Sequence, residues 1–156
     1  VYKIKKIGLL NLLGQLKVNN ILFDCGKDMA VKYDLHHWDN SHLKNFIIIV
    51  ICELKNTVYL VTDNEMPIAT FQTRKVGKVM HFEKLASSPK NSGKGVGSFC
   101  MNKIEGIARK AGCERVSMEV YSPSQHALEF YLHRGYVVCG NTKTIKYAEI
   151  KMEKVL

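Results

Sequence analysis

Three glycines alternate with other residues in the segment SGKGVGS, at Gly93, Gly95 and Gly97. A strand pattern ends shortly before them at Ala86, and an amphipathic helix pattern follows them directly. Glycine lets the backbone N–H groups of such a turn converge on one point, and the helix N-terminus adds roughly half a positive charge there. The spacing therefore predicts an anion cradle that fits a pyrophosphate.

Two common nucleotide-binding motifs do not match these letters. A phosphate-binding loop of the form GxxxxGK[ST] needs glycine where Ser88 stands, and serine or threonine where Gly95 stands. A dinucleotide fingerprint that starts at Gly95 needs a third glycine where Cys100 stands. The glycines therefore support neither of these classes of nucleotide site.

Two longer segments, KLASSPKNSGKGVGSFCM and MEVYSPSQHALEFYLHRGYVV, resemble the GNAT superfamily of N-acetyltransferases, and the resemblance covers roughly residues 57 to 156. The first motif of that family, [Q/R]xxGx[G/A], corresponds to Ser92 to Gly97, with Ser92 where Gln or Arg is usual. The second motif, NxxAxxxYxxxGF, has serine in place of its asparagine. Its matching positions are Ser124, Ala127, Tyr131, Gly135 and Tyr136.

The resemblance implies an N-acetyltransferase that uses acetyl-CoA as co-substrate and lets a primary amine attack directly. It also implies an α/β (α+β) fold: a mixed, mostly antiparallel sheet of six or seven strands, splayed between strands 4 and 5, with helices on both faces. In the family, the positions of Leu85, Ala86 and Ser87 act through their backbone, which pairs with the pantetheine amides like an added strand. The implied cofactor-binding residues are Leu85, Ala86, Ser87, Ser92, Gly93, Lys94, Gly95, Val96, Gly97, Ser98, Ser124, Ala127 and Tyr131.

Tyr131 is also the implied general acid, because in the family this hydroxyl reaches the sulfur of CoA. A phenol with an ordinary pKa of roughly 10 keeps its proton at neutral pH. The competing interpretation is a core aromatic residue, since Tyr131 falls at helical spacing with Ala127 and Leu128.

The attacking amine needs a base, because a primary amine with a pKa near 10.4 is almost fully protonated at pH 7. We choose Glu83, on the strand VMHFEKLA, which lines the acceptor side in the family. Alternation places His81 on the same face, and Glu119 on the next strand is a weaker candidate. A water chain also remains open, and a surface carboxylate is the ordinary alternative for Glu83.

The first half of the chain has the weaker pattern. A strand over residues 1–7 precedes a stretch from Leu9 to about Asn40 that indicates broken helical pieces. Three polar residues interrupt that stretch: Asn19, Asn20 and Asp24. The run after Ser41 is ambiguous, because its β-branched residues favour a strand whereas its length and the possible N-cap favour a helix. We prefer the helix.

The second half has a clearer pattern, which begins with three antiparallel strands in TVYLVT, IATFQT and VMHFEKLA. A helix then runs from about Val96 to Gly112, and the strand RVSMEVY follows it. Ser122 to Gln125 resembles a capping box for the next helix, which ends near Gly135. The segments YVVC and KYAEIKME give two closing strands.

Length and composition fit one domain, since 156 residues with 46% hydrophobic content can bury one sizeable core. Within it we assign residues 1–56 to the acceptor side and 57–156 to the acetyl-CoA-binding core. The longest apolar run, Phe46 to Cys52, is far shorter than the roughly 20 residues that span a bilayer, so we expect no membrane contact and a cytoplasmic location. The five scattered cysteines indicate neither a disulfide framework nor a metal site.

The formal net charge of +9 attracts polyanions, so a basic nucleic-acid-binding module is the rival hypothesis. The absence of aromatic-plus-basic stripes argues against it and against a specific nucleic-acid partner. A CoA-binding protein of the same fold without catalysis is a second alternative. The amine acceptor is a small molecule or a peptide, and the sequence does not identify it. The first half of the chain matches no acceptor signature, and this includes the segment HHWDNSH at His36 to His42. We expect a monomer or a homodimer.

Overall fold

A seven-stranded sheet forms the centre of the computed structural model, which describes residues 1–39, 53–145 and 147–156. The strands are β1 (Tyr2–Ile7), β2 (Thr57–Asp63), β3 (Met66–Val76), β4 (Val79–Ser87), β5 (Arg115–Tyr121), β6 (Val137–Lys143) and β7 (Ala148–Val155). The α-helices of the described stretches are α1 (Leu12–Tyr33), α2 (Val96–Lys110) and α3 (Gln125–His133). Short 3-10 turns at Glu53–Lys55 and Pro89–Asn91 precede β2 and α2. No helix among these is both long and apolar enough to cross a membrane.

The order of the strands across the sheet is β1-β2-β3-β4-β5-β7-β6. All neighbours are antiparallel except β4 and β5, which run parallel. In the described residues, β4 and β5 pair only through Val79–His81 opposite Arg115–Ser117, although both strands continue beyond that point. The sheet is therefore splayed between its fourth and fifth strands, and the predicted fold class is confirmed.

A β-bulge interrupts β4 beyond the last residues that pair with β5. Thr70 pairs with Ala86 whereas Gln72 pairs with Glu83, so β4 has one more residue than β3 over this stretch. Lys84 has a φ of 52°, in the left-handed region. Because a bulge bends its strand and increases the local twist, it helps β4 to leave β5 here.

Two hydrophobic clusters pack on opposite faces of the sheet. The larger one lies under α2 and α3 and includes Phe71, Met101 and Ile104, all fully buried. The smaller one joins Val18 and Leu22 of α1 to residues of β1, β2 and β4. Removing this apolar surface from water, at roughly 25 cal/mol per Å², holds helices on both faces.

Residues Leu12–Tyr33 form one continuous helix, so the prediction of broken helical pieces was wrong. The side chain of Asn11 caps this helix by accepting a hydrogen bond from the Gly14 N–H at 2.9 Å. Of the three polar residues that suggested interruptions, Asn20 and Asp24 are exposed to solvent, whereas Asn19 is buried. A polar residue inside a helix costs only about 0.7 kcal/mol in propensity, and burial of the apolar face of α1 outweighs that cost.

The start of α3 also differs from its prediction. The N-cap is Ser124, whose side chain makes no capping hydrogen bond, so the capping box predicted at Ser122 was wrong. Backbone contacts form this turn instead, with the Ser124 N–H donating to the Tyr121 carbonyl at 2.8 Å. The helix predicted after Ser41 falls on residues 40–52, outside the described residues.

We expect Ile104→Ala to lower the free energy of unfolding by about 2–5 kcal/mol, because it empties space in the fully buried larger cluster. Leu132→Ala is the matched control, since that side chain is 46% exposed and its loss is expected to cost about 0.5 kcal/mol or less. Denaturant titration of both variants measures the difference. Equal costs would contradict the assignment of Ile104 to the core.

Candidate functional site

A cleft of about 760 Å³ opens where β4 and β5 diverge. Its walls come from the ends of these strands, the glycine turn before α2, helix α3 and the C-terminal half of α1. Every residue predicted to bind the cofactor lines this cleft, including Tyr131, with the exception of Lys94. The predicted base Glu83 lines it as well. The structure therefore brings the residues of both sequence motifs to one cavity.

The glycine turn has the backbone conformation that an anion cradle needs. Gly93 and Gly95 have φ values of 75° and 76°, in the left-handed region that favours glycine. Gly95 is the N-cap of α2, and the helix makes its first backbone hydrogen bond from the Phe99 N–H to the Gly95 carbonyl at 3.0 Å. The N–H groups between these two residues therefore remain available to an anion. Apart from its own chain neighbours, a Cβ on either glycine would meet no atom of the described residues within 4 Å, so a ligand has room there.

Gly97 and Lys94 have other roles in this turn. A Cβ on Gly97 would lie 3.3 Å from Cζ of Phe130, so this glycine lets α3 pack closely on α2. The side chain of Lys94 is exposed outside the cleft, and its carbonyl accepts a hydrogen bond from the Tyr2 hydroxyl at 3.2 Å. Lys94 therefore ties the turn to β1.

The last residues of β4 offer a free backbone edge. On one side this stretch pairs with β3, through Ala86 opposite Thr70 and Ser87 opposite Ala69. On the other side, β5 has diverged, so β4 has no strand partner there in the described part of the chain. An unpaired edge of this kind accepts an extended ligand as an added strand.

Tyr131 reaches the cleft from α3 and is only 8% exposed. Its ring centroid lies 5.9 Å from that of Phe82, 5.1 Å from that of Phe130 and 5.9 Å from that of Tyr136. Burial raises the pKa of the Tyr131 phenol well above its usual range, and the nearby Cys100 thiol adds to the rise. The phenol therefore keeps its proton at neutral pH.

Glu83 lines the cleft on the side of the sheet that faces α1. Its Oε1 accepts a hydrogen bond from Nδ2 of Asn56 at 2.6 Å, and the same nitrogen donates to Oε1 of Gln72 at 3.0 Å. Asn56 precedes β2, so this contact fixes the Glu83 carboxylate against two neighbouring strands. In the described residues, the second carboxylate oxygen of Glu83 has no partner and can meet a ligand.

Glu119 lines the same cleft from β5, whereas His81 lies behind it and outside the lining. Nε2 of His81 is 3.1 Å from Oε2 of Glu119, and Nδ1 of His81 is 3.1 Å from the Ser117 hydroxyl oxygen. The hydrogen bond from His81 lowers the pKa of Glu119. His81 therefore orients Glu119 and keeps it ionised.

Glu149 is a third carboxylate in the cleft, and sequence reasoning missed it. It lies on β7, directly opposite Tyr121 of β5. Burial is the largest cause that raises the pKa of Glu149, and the charges of Glu119 and Glu83 raise it further. Alternation along KYAEIKME identifies Glu149 as a residue of the polar face. It gives no sign that β7 lies next to β5.

Aromatic residues complete the α1 side of the cleft. His37 stacks on Tyr121 with ring centroids 4.1 Å apart, and Tyr33 stacks on His126 at 4.2 Å. Burial lowers the pKa of His37 to about 4, so its imidazole is neutral at pH 7. His37 belongs to the HHWDNSH segment and His126 to the second motif, and no role was predicted for either. Only their place in the fold reveals that they line the cleft.

His133 and Arg134, which lie close to the second motif, make structural contacts. Nδ1 of His133 is 2.7 Å from the Glu129 carbonyl one turn earlier in α3. The Arg134 guanidinium donates to Oδ1 of Asn102 at 2.6 Å and lies 3.7 Å from the buried Glu105 carboxylate. These contacts fix the end of α3 against α2.

Comparisons with known proteins agree with this geometry. The family model of the acetyltransferase (GNAT) family matches residues 23–136. No curated protein sequence matches the chain significantly. The structure is similar to that of the PaiA N-acetyltransferase from Thermoplasma acidophilum in complex with coenzyme A, with 14% identity, a TM-score of 0.78, and 100% and 99% of the two chains covered.

Two further solved structures have the same fold. The IAA acetyltransferase from Bacillus cereus is 13% identical, with a TM-score of 0.74 and both chains covered at 100%. The ribosomal-protein-S18-alanine N-acetyltransferase from Escherichia coli is 14% identical, with a TM-score of 0.70, and the match covers 98% of this chain and 92% of that one. At such identities the likeness concerns the fold alone.

Proposed function

This chain belongs to the GNAT acetyltransferase family, and we propose that it transfers an acetyl group from acetyl-CoA to a primary amine by direct attack. One observation carries the proposal: an anion cradle, a free strand edge, a buried protonated tyrosine and a group of carboxylates line the same cleft. The PaiA neighbour is a complex with coenzyme A, which supports the choice of acetyl donor.

The cofactor half of the cleft fits CoA in two ways. The N–H groups at the start of α2 suit the pyrophosphate, and the open space at Gly93 and Gly95 allows its close approach. The first turn of α2 contains no acidic residue that would repel it. The edge of β4 from Leu85 to Ser87 suits the amides of the pantetheine arm.

The catalytic groups are Tyr131 and Glu83. Acetyl-CoA supplies an activated acetyl group, whose C–S bond breaks as the new C–N bond forms. Glu83 accepts the proton that the acceptor ammonium must lose, and Asn56 holds its carboxylate in place. Tyr131 holds a proton at its phenol oxygen and donates it to the departing sulfur. The nitrogen loses its second proton to solvent as the amide forms, and solvent returns a proton to the phenol after the products leave.

We also propose the division of the chain that follows from this cleft. Residues 57–156 form the acetyl-CoA-binding core, since they contain the glycine turn, β4 and α3. Residues 1–56 form the acceptor side, because α1 contributes Asp28 and Tyr33 to the wall next to the carboxylates. A cytoplasmic location and a state of monomer or homodimer stay predictions.

Acetyl-CoA at a concentration of about 100 times its Kd is expected to stabilise the fold by about 2.7 kcal/mol, because it binds the folded state alone. For a chain of this length that corresponds to a rise in Tm of about 5 to 10 °C. Release of free CoA is then followed with a panel of primary amines. No shift in Tm would overturn the cofactor assignment, and binding without amine-dependent release would indicate a CoA-binding protein without catalysis.

Gly95→Ala is expected to weaken acetyl-CoA binding about tenfold or more, since alanine disfavours the positive φ that aims the N–H groups. Gly106→Ala is the matched control within α2, where a Cβ meets nothing within 4 Å and φ is not positive. That control is expected to bind acetyl-CoA normally and to be more stable by about 0.5–1 kcal/mol. Isothermal titration compares the two variants, and equal affinities would contradict the cradle.

A further inference from the structure

The carboxylates that line the acceptor half of the cleft differ in their partners. Asp28 forms an ion pair with Lys32 at 2.9 Å, and Glu119 forms one with His81 at 3.1 Å. Glu83 accepts its hydrogen bond from Asn56. Within the described residues, the Glu149 carboxylate has no hydrogen-bond donor and no ion-pair partner. Among these carboxylates, Glu149 is therefore the one that receives neither a hydrogen bond nor an ion pair from the described part of the chain.

The surroundings of Glu149 make that charge costly in the absence of a cation. Its side chain is partly buried, and the like charges of Glu119 on the neighbouring strand β5 and of Glu83 on β4 act on it. His81 lowers the pKa of Glu149, and its contribution is the smallest of these. A counter-ion that enters the cleft would stabilise the ionised form of such a carboxylate, which otherwise relieves its charge by taking up a proton.

Aromatic rings beside Glu149 favour an organic cation over a hydrated metal ion. Tyr121 lies opposite Glu149 on β5, with its ring centroid 4.1 Å from that of His37 and 5.4 Å from that of Tyr147. The faces of such rings attract ammonium groups and also pack against the methylene groups between them. In the described residues, no cluster of ligating side chains suits a metal ion.

We propose that the acetyl acceptor is a small aliphatic di- or polyamine, and that Glu149 binds the ammonium group that is not acetylated. This inference rests on the proposed function, because it concerns the acceptor half of the same cleft. The amine that reacts lies at Glu83, and the second cation lies at Glu149 among the rings. The carboxylates make this part of the cleft negative, although the whole chain has a formal net charge of +9. The cleft therefore attracts cations, whereas the protein as a whole repels them.

Matched amines test the proposal, because 1,4-diaminobutane and pentylamine have the same number of heavy atoms and differ in one terminal charge. We expect kcat/KM to be about tenfold or more higher for the diamine, with most of the difference in KM, as charge-assisted binding of a remote group predicts. Diamines of three to six carbons, each with its matched monoamine, locate the best chain length. A monoamine that is as good as its diamine at every length would overturn the proposal.

Glu149→Gln is expected to raise KM for the best diamine about tenfold, to leave kcat nearly unchanged and to leave the matched monoamine unaffected. Glu153→Gln is the control, because Glu153 shares the strand and the face of Glu149 but lies outside the cleft. It is expected to preserve the diamine preference. An unchanged preference in Glu149→Gln, or a loss of kcat for both amines, would refute the role of Glu149.

A binding measurement separates this inference from the proposed function. In the presence of CoA, the best diamine is expected to raise Tm more than its matched monoamine does, and Glu149→Gln is expected to remove the difference. Equal shifts would overturn the diamine site even where acetyl transfer is detected. A diamine-specific shift without any release of CoA from acetyl-CoA would support the site and count against the proposed transferase.

Discussion

Replacing Tyr131 with phenylalanine is expected to lower kcat by a factor of about 10² to 10⁴ and to leave the affinity for acetyl-CoA nearly unchanged. The sulfur leaves as a thiolate, and a protonated phenol beside it neutralises the charge as it forms. Tyr131 meets the requirement because burial keeps its proton in place. Steady-state assays with a fixed amine and varied acetyl-CoA measure both parameters.

The phenylalanine variant also decides between the catalytic and the purely structural interpretation of Tyr131. The ring is packed against Phe82, Phe130 and Tyr136, so removing the whole side chain would test the core and leave the chemistry open. Phenylalanine keeps the ring, and Tm is therefore expected to change little. Wild-type kcat in Tyr131→Phe would show that the hydroxyl has no part in the reaction.

The pH dependence gives a second readout for Tyr131. Its folded pKa lies above the ordinary value, so the phenol is fully protonated at neutral pH and loses its proton only in strong alkali. The stability that this protonated form contributes is present below the ordinary pKa and declines as the pH rises beyond it. We therefore expect the wild-type enzyme to show no loss of kcat from phenol ionisation up to about pH 10.

The cofactor half of the site was largely predictable from sequence, because the contacts concerned are local. A strand, a glycine turn and a helix follow one another directly, so alternation and spacing alone place Gly93 and Gly95 at the N-terminus of α2. Gly97 shows the limit of this reasoning. Its role depends on Phe130 in a helix that is distant in sequence.

The acceptor half was less predictable, because it is built from contacts between distant segments. Glu149 reaches the cleft because β7 lies between β5 and β6, and nothing in the spacing of KYAEIKME indicates that order. His37 reaches the cleft because α1 continues unbroken to Tyr33. Asn19 and Asn20 within this helix had suggested breaks. Tertiary packing outweighed weak local propensity in that helix.

Glu83→Gln is expected to lower kcat/KM at pH 7 by a factor of about 10² to 10⁴ for every amine that the enzyme accepts. At this pH only roughly 1 in 2,500 molecules of an amine with a pKa of 10.4 is neutral, so removal of a proton limits the attack. Glutamine keeps an oxygen that can accept the hydrogen bond from Asn56, and the local structure is expected to persist. Unchanged Tm and acetyl-CoA affinity check that expectation.

The loss in Glu83→Gln should shrink as the pH rises, because solvent then deprotonates the amine in place of the missing carboxylate. The ratio of wild-type to variant kcat/KM is expected to fall about tenfold per pH unit until the pH approaches the pKa of the acceptor. Glu119→Gln is the matched comparison, and it should cost less, since His81 lowers the pKa of Glu119 and already occupies one of its carboxylate oxygens. A loss in Glu83→Gln that is the same at every pH would assign Glu83 to binding or structure, and a larger loss in Glu119→Gln would make Glu119 the base.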